Sequence, residues 1–332
     1  MKYDVLLLDA LNVYHRAGFS FDLSVWDGSD EYQTGAVFGF YRIAMKFWDS
    51  YAAPGAKLIV CWDAGYDHRV AMYPDYKVSR RKPLPPEGTE EHQEALDGRN
   101  SFRFQKKALR ELLRLSGWSN ARAPGFEADD VLATLAARES ASGKRVAIST
   151  TDRDLHQVVS DRVHVIAKGP KGEKVWDPKA VEAAWGFPPD RVAELKALQG
   201  DGGDDIPGCP GCGAGWARKF IQAYGDLDGI LKAASEEDIL TGEWQGKNWR
   251  SKALAGKLRD NAELVRISHE LAKVVCDCPV VITRENPQRE ELIKKMSSLA
   301  FHSLIDERNM NRILEISGEI EQEQDPLSLF GL

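Results

Sequence analysis

The sequence lacks an excess of positive charge: 44 lysines and arginines face 51 aspartates and glutamates, which gives a formal net charge of −7. Phosphate binding depends on lysine and arginine, so any nucleic-acid contact must come from local basic patches. Cysteine is also scarce, with five residues in 332. This odd, scattered set argues against a disulfide framework and is typical of a reducing compartment, and we expect a cytoplasmic protein.

Long apolar segments are absent as well. The N-terminus offers four apolar residues between Asp4 and Asp9, too few for the core of a signal peptide, and no segment reaches transmembrane length. We therefore expect no membrane partner. The 43% hydrophobic and 29% charged composition is typical of a globular protein, and the length predicts about two domains.

Short, continuous apolar runs alternate with helical patterns over the first 170 residues. The runs are 5–8, 58–62, 146–149 and 163–166, and the helical patterns between them are 38–48, 104–115 and 128–137. Continuous apolar strands are typical of a sheet that is covered on both faces. The alternation predicts an α/β fold with a mainly parallel, twisted sheet flanked by helices.

The remaining segments have other patterns. Residues 76–103 are basic and proline-rich with little apolar periodicity, which predicts a long exposed insertion. From about residue 188 the pattern is helical and punctuated by glycines, with one strand-like run at 280–282. Residues 315–325 are acidic and polar, and we expect a flexible tail there.

Acidic residues follow three of the predicted strands, at Asp9, Asp63 and Asp152. Ligands bind beyond the carboxyl ends of strands in open α/β sheets, so these carboxylates are expected to converge. Clustered carboxylates repel one another unless cations neutralise them, and Mg²⁺ or Mn²⁺ prefers oxygen ligands. Two such ions about 4 Å apart clamp a phosphodiester. Further candidate ligands are Glu127, Asp129, Asp130, Asp154, Asp201 and Asp204. The alternative is a set of unconnected surface acids and helix caps.

Five ordered motifs carry these residues: 7–12 (LLDALN), 61–63 (CWD) with Arg69, Tyr76, Lys77 and Arg80, 125–133 (GFEADDVLA), 151–157 (TDRDLHQ) and 200–213 (GDGGDDIPGCPGCG). With these motifs the sequence resembles the 5′ nuclease family of flap endonucleases and polymerase I-type 5′–3′ exonucleases. The resemblance covers about residues 3–230 and extends more weakly to about 310.

The resemblance implies a PIN-like nuclease core at 1–185, with a helical arch inserted at about 78–112. A helical DNA-binding region at 186–314 with a helix–three-turn–helix and a flexible tail at 315–332 would follow. The implied activity is hydrolysis of DNA near a 5′ end, flap or nick during replication or repair, including RNA primers on DNA. We expect a monomeric, stand-alone nuclease from a phage or bacterium. A non-catalytic DNA-junction binder and a ribonuclease of related fold remain alternatives.

The same resemblance implies roles for individual residues. One ion would be held by Asp63, Glu127, Asp129 and Asp130 with Asp9 nearby, and a second by Asp152, Asp154, Asp201 and Asp204. Lys77 would approach the scissile phosphate, Arg80 would stabilise its charge, Tyr76 would stack on a base, and Arg69 completes the catalytic set. Basic arch residues, including Arg81 and Lys82, would guide a single strand, unless they are an ordinary solvated charge run. Duplex contacts are expected from Gly208, Gly211, Gly213, Arg218 and Lys219, with K⁺ at the turn.

Several positions depart from the family pattern. Asp205 stands where the family usually has asparagine, and Gly215 and Trp216 stand where it offers lysine or arginine to phosphate. Cys209 and Cys212 have metal-like spacing, but the family carries small apolar residues there, so we expect no zinc.

The C-terminal peptide with Leu327, Leu329 and Phe330 resembles the short peptides that dock on sliding clamps. Pro326 occupies the usual glutamine position of those peptides. Clamp binding and docking of the tail on its own domain both remain open.

Overall fold

Seven of the strands form one central sheet in the protein, of which a computed structural model describes residues 1–18, 21–26, 31–81, 83–169 and 172–318. The strands are β1 (Tyr3–Asp9), β2 (Ser24–Trp26), β3 (Glu31–Gln33), β4 (Ala52–Trp62), β5 (Ser119–Arg122), β6 (Val146–Ser149), β7 (Val163–Gly169), β8 (Gly172–Trp176), β9 (Leu240–Trp244), β10 (Lys247–Ser251) and β11 (Val281–Thr283). The helices are α1 (Ala10–Gly18), α2 (Gly35–Tyr51), α3 (Asp67–Met72), α4 (Glu90–Leu115), α5 (Ala128–Ala141), α6 (Pro178–Trp185), α7 (Val192–Gln199), α8 (Ala214–Tyr224), α9 (Leu227–Glu236), α10 (Lys252–Asp260), α11 (Ala262–Ala272), α12 (Arg289–Ser298) and α13 (Glu307–Ile316).

The central sheet has the order β11-β5-β4-β1-β6-β7-β8. The five inner strands pair in parallel, and the edge strands β8 and β11 are antiparallel to their neighbours. The prediction of a mainly parallel sheet flanked by helices is confirmed. The register pairs Asp9 with Cys61 and Leu8 with Ser149, so β1, β4 and β6 end at the same edge.

Both faces of the sheet are covered by helices. Side chains alternate along each strand, so neighbouring residues pack into different cores. On β1, Leu6 and Leu8 pack into the core shared with α2 and α4, while Val5 and Leu7 face α5 on the other side. This two-sided burial explains why the strands read as continuous apolar runs.

Helices α7–α11 and the β9–β10 hairpin enclose a separate apolar core. The expected helical region at 186–314 differs from the structure in two ways. It contains the hairpin at 240–251, and after α11 the chain returns to the sheet. Strand β11 pairs with β5, and Leu292 and Ile313 complete the core beside α2 and α4. Strand β11 and helices α12 and α13 therefore pack against the sheet domain.

The expected arch at 78–112 also has different limits. It begins with a 3₁₀ helix at Val78–Arg81 and continues into α4, which Thr89 caps by accepting the N–H of His92 at 3.1 Å. From Gln105 onward the apolar face of α4 is buried in the sheet domain, so the exposed insertion ends near residue 104. Lys82 lies outside the described residues.

Glu315 and Ile316, which were expected to belong to the tail, are part of α13, and Ile316 is buried. Leu327, Leu329 and Phe330 lie outside the described residues, so clamp binding stays a prediction.

Within the described ranges, no helix combines the length and apolar character needed to cross a membrane.

Candidate active site

Asp9 ends β1 and is held at the sheet edge by two hydrogen bonds. Its carboxylate accepts the N–H of Asn12 at 3.1 Å and the hydroxyl of Thr150 at 2.8 Å. The Asn12 side chain joins this edge to the loop after β6, because it donates to the Thr151 hydroxyl at 2.8 Å and accepts the Thr151 N–H at 3.1 Å. Burial, with smaller contributions from Asp63 and Asp152, raises the pKa of Asp9 to about 7.

The expected convergence of strand-end acids is present on the neighbouring strands. Asp63 follows β4 and accepts the N–H of Ala128, the first residue of α5, at 3.1 Å. Asp129 lies in the first turn of the same helix. Burial raises its pKa well above the ordinary value, and Asp152, Asp9, Asp154 and Asp63 raise it further, in that order. We call Asp9, Asp63, Asp129 and Asp152 the first carboxylate group.

The chemistry of this group fits a divalent cation. The pKa values of Asp9 and Asp129 are raised by burial and, to a smaller extent, by the negative charge of neighbouring carboxylates. Among the described residues, no group donates a hydrogen bond to the Asp129 carboxylate. A cation with oxygen ligands would relieve the repulsion, whereas the alternative of unconnected surface acids does not explain it.

Asp154, Asp201 and Asp204 form a second carboxylate group. Among the described residues, these three offer oxygens that all lie within 4.8 Å of one another. Asp154 follows β6, whereas Asp201 and Asp204 belong to the turn after α7. The second group therefore contains acids from both the sheet domain and the helical region.

Lys196 lies inside the second group, and sequence reasoning missed it. Its ammonium group donates to Asp154 at 2.5 Å and to Asp201 at 2.7 Å. Burial raises the pKa of Asp154 to about 6, although Lys196 opposes the rise. Burial also acts to raise the pKa of Asp201, but hydrogen bonding and attraction to Lys196 lower it overall. A cation thus already compensates these carboxylates.

Asp130 and Arg69 form a buried ion pair, which differs from the expected roles of metal ligand and catalytic residue. The Arg69 guanidinium donates to both carboxylate oxygens of Asp130 at 2.7 Å and to Glu127 at 3.0 Å. It also donates to the carbonyls of Leu271 and Lys273, at 3.1 and 2.9 Å. Asp130 occupies the third position of α5, so its carboxylate turns back to cap that helix. The pair ties α3 and α5 to the end of α11.

Tyr76 is buried, so the expected stacking on a base has no exposed ring to support it. The side chain is 2% exposed, and its hydroxyl donates to Glu127 at 2.7 Å. Burial and the nearby Glu127 carboxylate raise its pKa. The Tyr76 hydroxyl therefore helps to orient the Glu127 carboxylate. The Lys77 ammonium lies 5.1 Å from the centre of the Tyr76 ring.

Lys77 and Arg80 both lie against the second carboxylate group, and Lys77 also reaches Glu127 at the start of α5. The Lys77 ammonium pairs with Glu127 and lies 3.7 Å from Asp204, and Arg80 pairs with Asp204. Arg80 also donates to the carbonyl of Gly203 at 2.9 Å. These contacts place both expected phosphate-binding cations beside the acids.

The backbone around these cations is fixed by neighbouring contacts. The Lys77 N–H donates to the Asp204 carbonyl at 3.0 Å, and Asp205 accepts the N–H of Ser79 at 2.8 Å. Asp205, a departure from the family pattern, therefore anchors the start of the insertion. Arg81 donates to the Tyr76 carbonyl at 3.0 Å, and its guanidinium lies over the ring of Tyr66.

The glycine-rich turn leads from the second group into α8. Gly208 has a φ of +65°, and a Cβ there would lie 2.3 Å from the backbone nitrogen of Gly200. Its N–H donates to the Ser268 hydroxyl on α11 at 3.1 Å. Gly213 caps α8, with open space around its Cα. A phosphate can therefore approach this backbone closely.

Three cations lie near the glycine-rich turn. The ammonium of Lys219 lies 4.4 Å from the centre of the Trp216 ring, and Arg218 lies near Trp185. Lys257 on α10 was missed by sequence reasoning: its ammonium lies 2.7 Å from where a Cβ on Gly211 would be. Lys257 is exposed and its ammonium pairs with no carboxylate of the described residues.

The cysteines of this turn behave as small apolar residues. Cys209 and Cys212 are packed in the core of α7–α11, and burial raises their pKa to about 11 and about 12. Cys278 packs in another core, beside α5.

Carboxylates at the strand ends of an α/β sheet, next to a glycine-rich helical region, are the arrangement expected of a 5′ nuclease. Residues 4–186 match the family described as 5′-3′ exonuclease, N-terminal resolvase-like domain, and residues 187–295 match the 5′-3′ exonuclease, C-terminal SAM fold. The chain belongs to the 5′–3′ exonuclease family, and the predicted family is confirmed.

Sequence relatives include polymerases and a nuclease. The thermostable DNA polymerase I of Thermus aquaticus is 32% identical over 276 residues, which are 82% of this chain and 29% of the polymerase. The 5′-3′ exonuclease of Mycobacterium tuberculosis is 32% identical over 294 residues, covering 85% of this chain and 87% of that protein. The chain thus spans about a third of the polymerase I relatives that it matches.

Solved structures share the fold. The bacteriophage T5 D15 flap endonuclease in complex with DNA and metal ions has a TM-score of 0.61 at 19% identity, covering 95% of this chain and 99% of that one. Flap endonuclease-1 from Methanococcus jannaschii has a TM-score of 0.60 at 14% identity, with coverage of 95% and 93%.

Proposed function

We propose that this protein hydrolyses DNA phosphodiesters next to a 5′ end, flap or nick, with two divalent ions, Mg²⁺ or Mn²⁺, as cofactors. The observation that carries the proposal is the presence of two neighbouring carboxylate groups with two cations, Lys77 and Arg80, paired beside them. The T5 D15 structure with DNA and metal ions, and a T5 5′-exonuclease with bound zinc, support the choice of substrate and cofactor class. Primer or flap removal in replication and repair fits this activity.

The first carboxylate group would hold one ion, with Glu127 joining when Lys77 moves to the substrate. The second ion would be shared by Asp152 with the second carboxylate group, where Lys196 already compensates charge. When bound, such ions supply an activated water and stabilise the attacking and leaving oxygens.

The protein's own cations would position the phosphate. Lys77 is buried between Glu127 and Asp204, and a scissile phosphate that enters there would compete for its ammonium group. Arg80 is more exposed and would neutralise the charge that develops on the phosphate oxygens. Asp130 and Arg69 would act as positioning residues, because their ion pair fixes the start of α5, which carries Glu127 and Asp129.

The helical region would hold the duplex beyond the cleavage point. The exposed backbone of Gly211 and Gly213 would meet phosphate oxygens, with charge supplied by Arg218, Lys219 and Lys257. Lys257 would replace the cation that the family usually carries at Gly215 or Trp216. A K⁺ ion at this turn stays a prediction.

A 5′-labelled flap duplex, incubated with Mg²⁺ or EDTA, tests the proposal. Wild type should cut near the flap junction in Mg²⁺ alone, Asp152→Asn should lose most cleavage, and the exposed control Asp238→Asn should retain it. Cleavage in EDTA would contradict metal dependence. Tight binding without cleavage would favour a junction binder, and activity on RNA alone would favour a ribonuclease.

A further inference from the structure

A basic cavity lies in the sheet domain next to the end of α13, and we propose that the acidic segment at 319–325 of the same chain docks on it. We call it the arginine cavity. It has a volume of about 330 Å³, and its charged lining residues are Arg110, Arg114, Arg122, Arg284 and Glu285. This contact lies within the chain and does not depend on the proposed function.

The end of α13 already contacts the arginine cavity. The Arg284 guanidinium donates to the carbonyl of Gly318 at 2.9 Å, and Gly318 is the last described residue before the acidic segment. Earlier along the same helix, the indole N–H of Trp118, which also lines the cavity, donates to the carbonyl of Ile313 at 2.9 Å. The acidic segment therefore starts at the cavity, and docking closes only a short loop, which keeps its entropic cost small.

The arginine cavity has more positive charge than its own carboxylate compensates. Among its described lining residues, four arginines face one glutamate, and Glu285 pairs with Arg114 at 2.8 Å. Arg110 and Arg122 pair with no carboxylate of the described part of the chain. Burial lowers the pKa of Arg110, and repulsion from Arg122 lowers it further. Carboxylates that enter the cavity would relieve this repulsion.

The segment after Gly318 matches this charge, because its acidic residues occupy alternate positions: Glu319, Glu321, Glu323 and Asp325. In an extended chain alternate side chains share one face, so the four carboxylates would point to the same side. Seven extended residues span about 23 Å, at about 3.3 Å per residue, which is enough to cross a cavity of this size. Guanidinium groups bind carboxylates through paired hydrogen bonds, which suits this occupant.

The cavity offers little to an apolar occupant. Trp62 and Trp118 line it but are 4% and 1% exposed, so neither presents a free ring face. The contact would therefore be mainly electrostatic, and ion pairs near a surface are screened by salt. A docked segment would shield these arginines from other polyanions, and rising ionic strength should release it.

Digestion of the full-length protein by a glutamate-specific protease tests the docking, with the rate of cleavage after Glu323 measured by mass spectrometry at low salt. The rate follows the fraction of time that the segment is released. If it is docked for about nine-tenths of the time, Arg122→Gln/Arg284→Gln should raise the rate about tenfold. The difference from wild type should disappear at high salt. Arg122→Gln alone keeps the Gly318 contact and should still raise the rate.

The matched control is Arg138→Gln/Lys232→Gln, which removes two exposed charges elsewhere and should be cut at the wild-type rate. Cleavage confined to the acidic segment shows that a variant is folded. Glu319→Gln/Glu321→Gln should also raise the rate of cleavage after Glu323. Combining it with Arg122→Gln/Arg284→Gln should add little, because both changes remove the same contact. An unchanged rate in the Arg122/Arg284 variant, or two increases that multiply in the combined variant, would overturn the docking.

Discussion

Replacing Asp130 and Asp129 by asparagine should have opposite effects on the stability of the metal-free protein. Asp130 is fully buried and accepts two hydrogen bonds from Arg69 and one from the N–H of Val275 at 2.9 Å. Asp130→Asn leaves the Arg69 charge buried without its bidentate partner, and loss of one member of such a pair costs about 3–5 kcal/mol. Glu127 still pairs with Arg69, so we expect the lower end, about 3 kcal/mol.

Asp129 has no partner of this kind, and its raised pKa means that its charge destabilises the folded state at neutral pH. Asp129→Asn removes that charge and should stabilise the metal-free protein. Urea unfolding followed by circular dichroism in EDTA measures both changes. Equal stability of the two variants, or a stable Asp130→Asn protein, would refute the distinction between a positioning residue and a metal ligand.

Three further predictions follow from the same geometry. Burial holds the pKa of Asp9 near 7 and that of Asp154 near 6, above the ordinary 3.8, so their contribution to stability is full below about pH 4 and lost as the pH rises toward 7. Mg²⁺ should reduce this loss in thermal melts, and an unchanged pH profile would argue against ion binding. Gly208→Ala should lower the free energy of unfolding by at least about 1 kcal/mol, because Gly208 has a positive φ and an added Cβ would lie 2.3 Å from the Gly200 nitrogen. Urea unfolding measures this change. Lys257→Gln should lower the slope of log duplex affinity against log salt concentration by about 0.9, because one phosphate contact is lost. The exposed control Lys232→Gln should leave this slope unchanged, and an equal decrease in the control would contradict a local contact.

The sheet and the position of acids at its strand ends were predictable because they depend on local pattern. Strands β1, β4, β6 and β7 are buried on both faces, so each has a continuous apolar run, and Asp9 and Asp63 follow directly from strand ends. Strand β11 coincides with the strand-like run expected at 280–282, whereas the edge strand β8 is short and exposed, and its sequence carries no such signal. The β9–β10 hairpin was missed for the same reason.

Contacts between distant segments set the limits of prediction in the site. Asp130 looks like its neighbour Asp129 in sequence, and only the fold shows that Arg69, 61 residues away, uses its carboxylate. Lys196 lies 42 residues from Asp154, and its one local signal is a lone cation in a helix otherwise rich in apolar residues. Lys257 reaches Gly211 from another helix, which no spacing rule indicates.

The most direct test of the account is a count of bound ions. Equilibrium titration with Mn²⁺, read by electron paramagnetic resonance, should find two ions on the wild type and one on the Asp201→Asn/Asp204→Asn variant, because the first carboxylate group stays intact. The control Asp238→Asn should still bind two. A single ion on the wild type, or two ions on the Asp201/Asp204 variant, would contradict the division of the acids into two metal-binding groups.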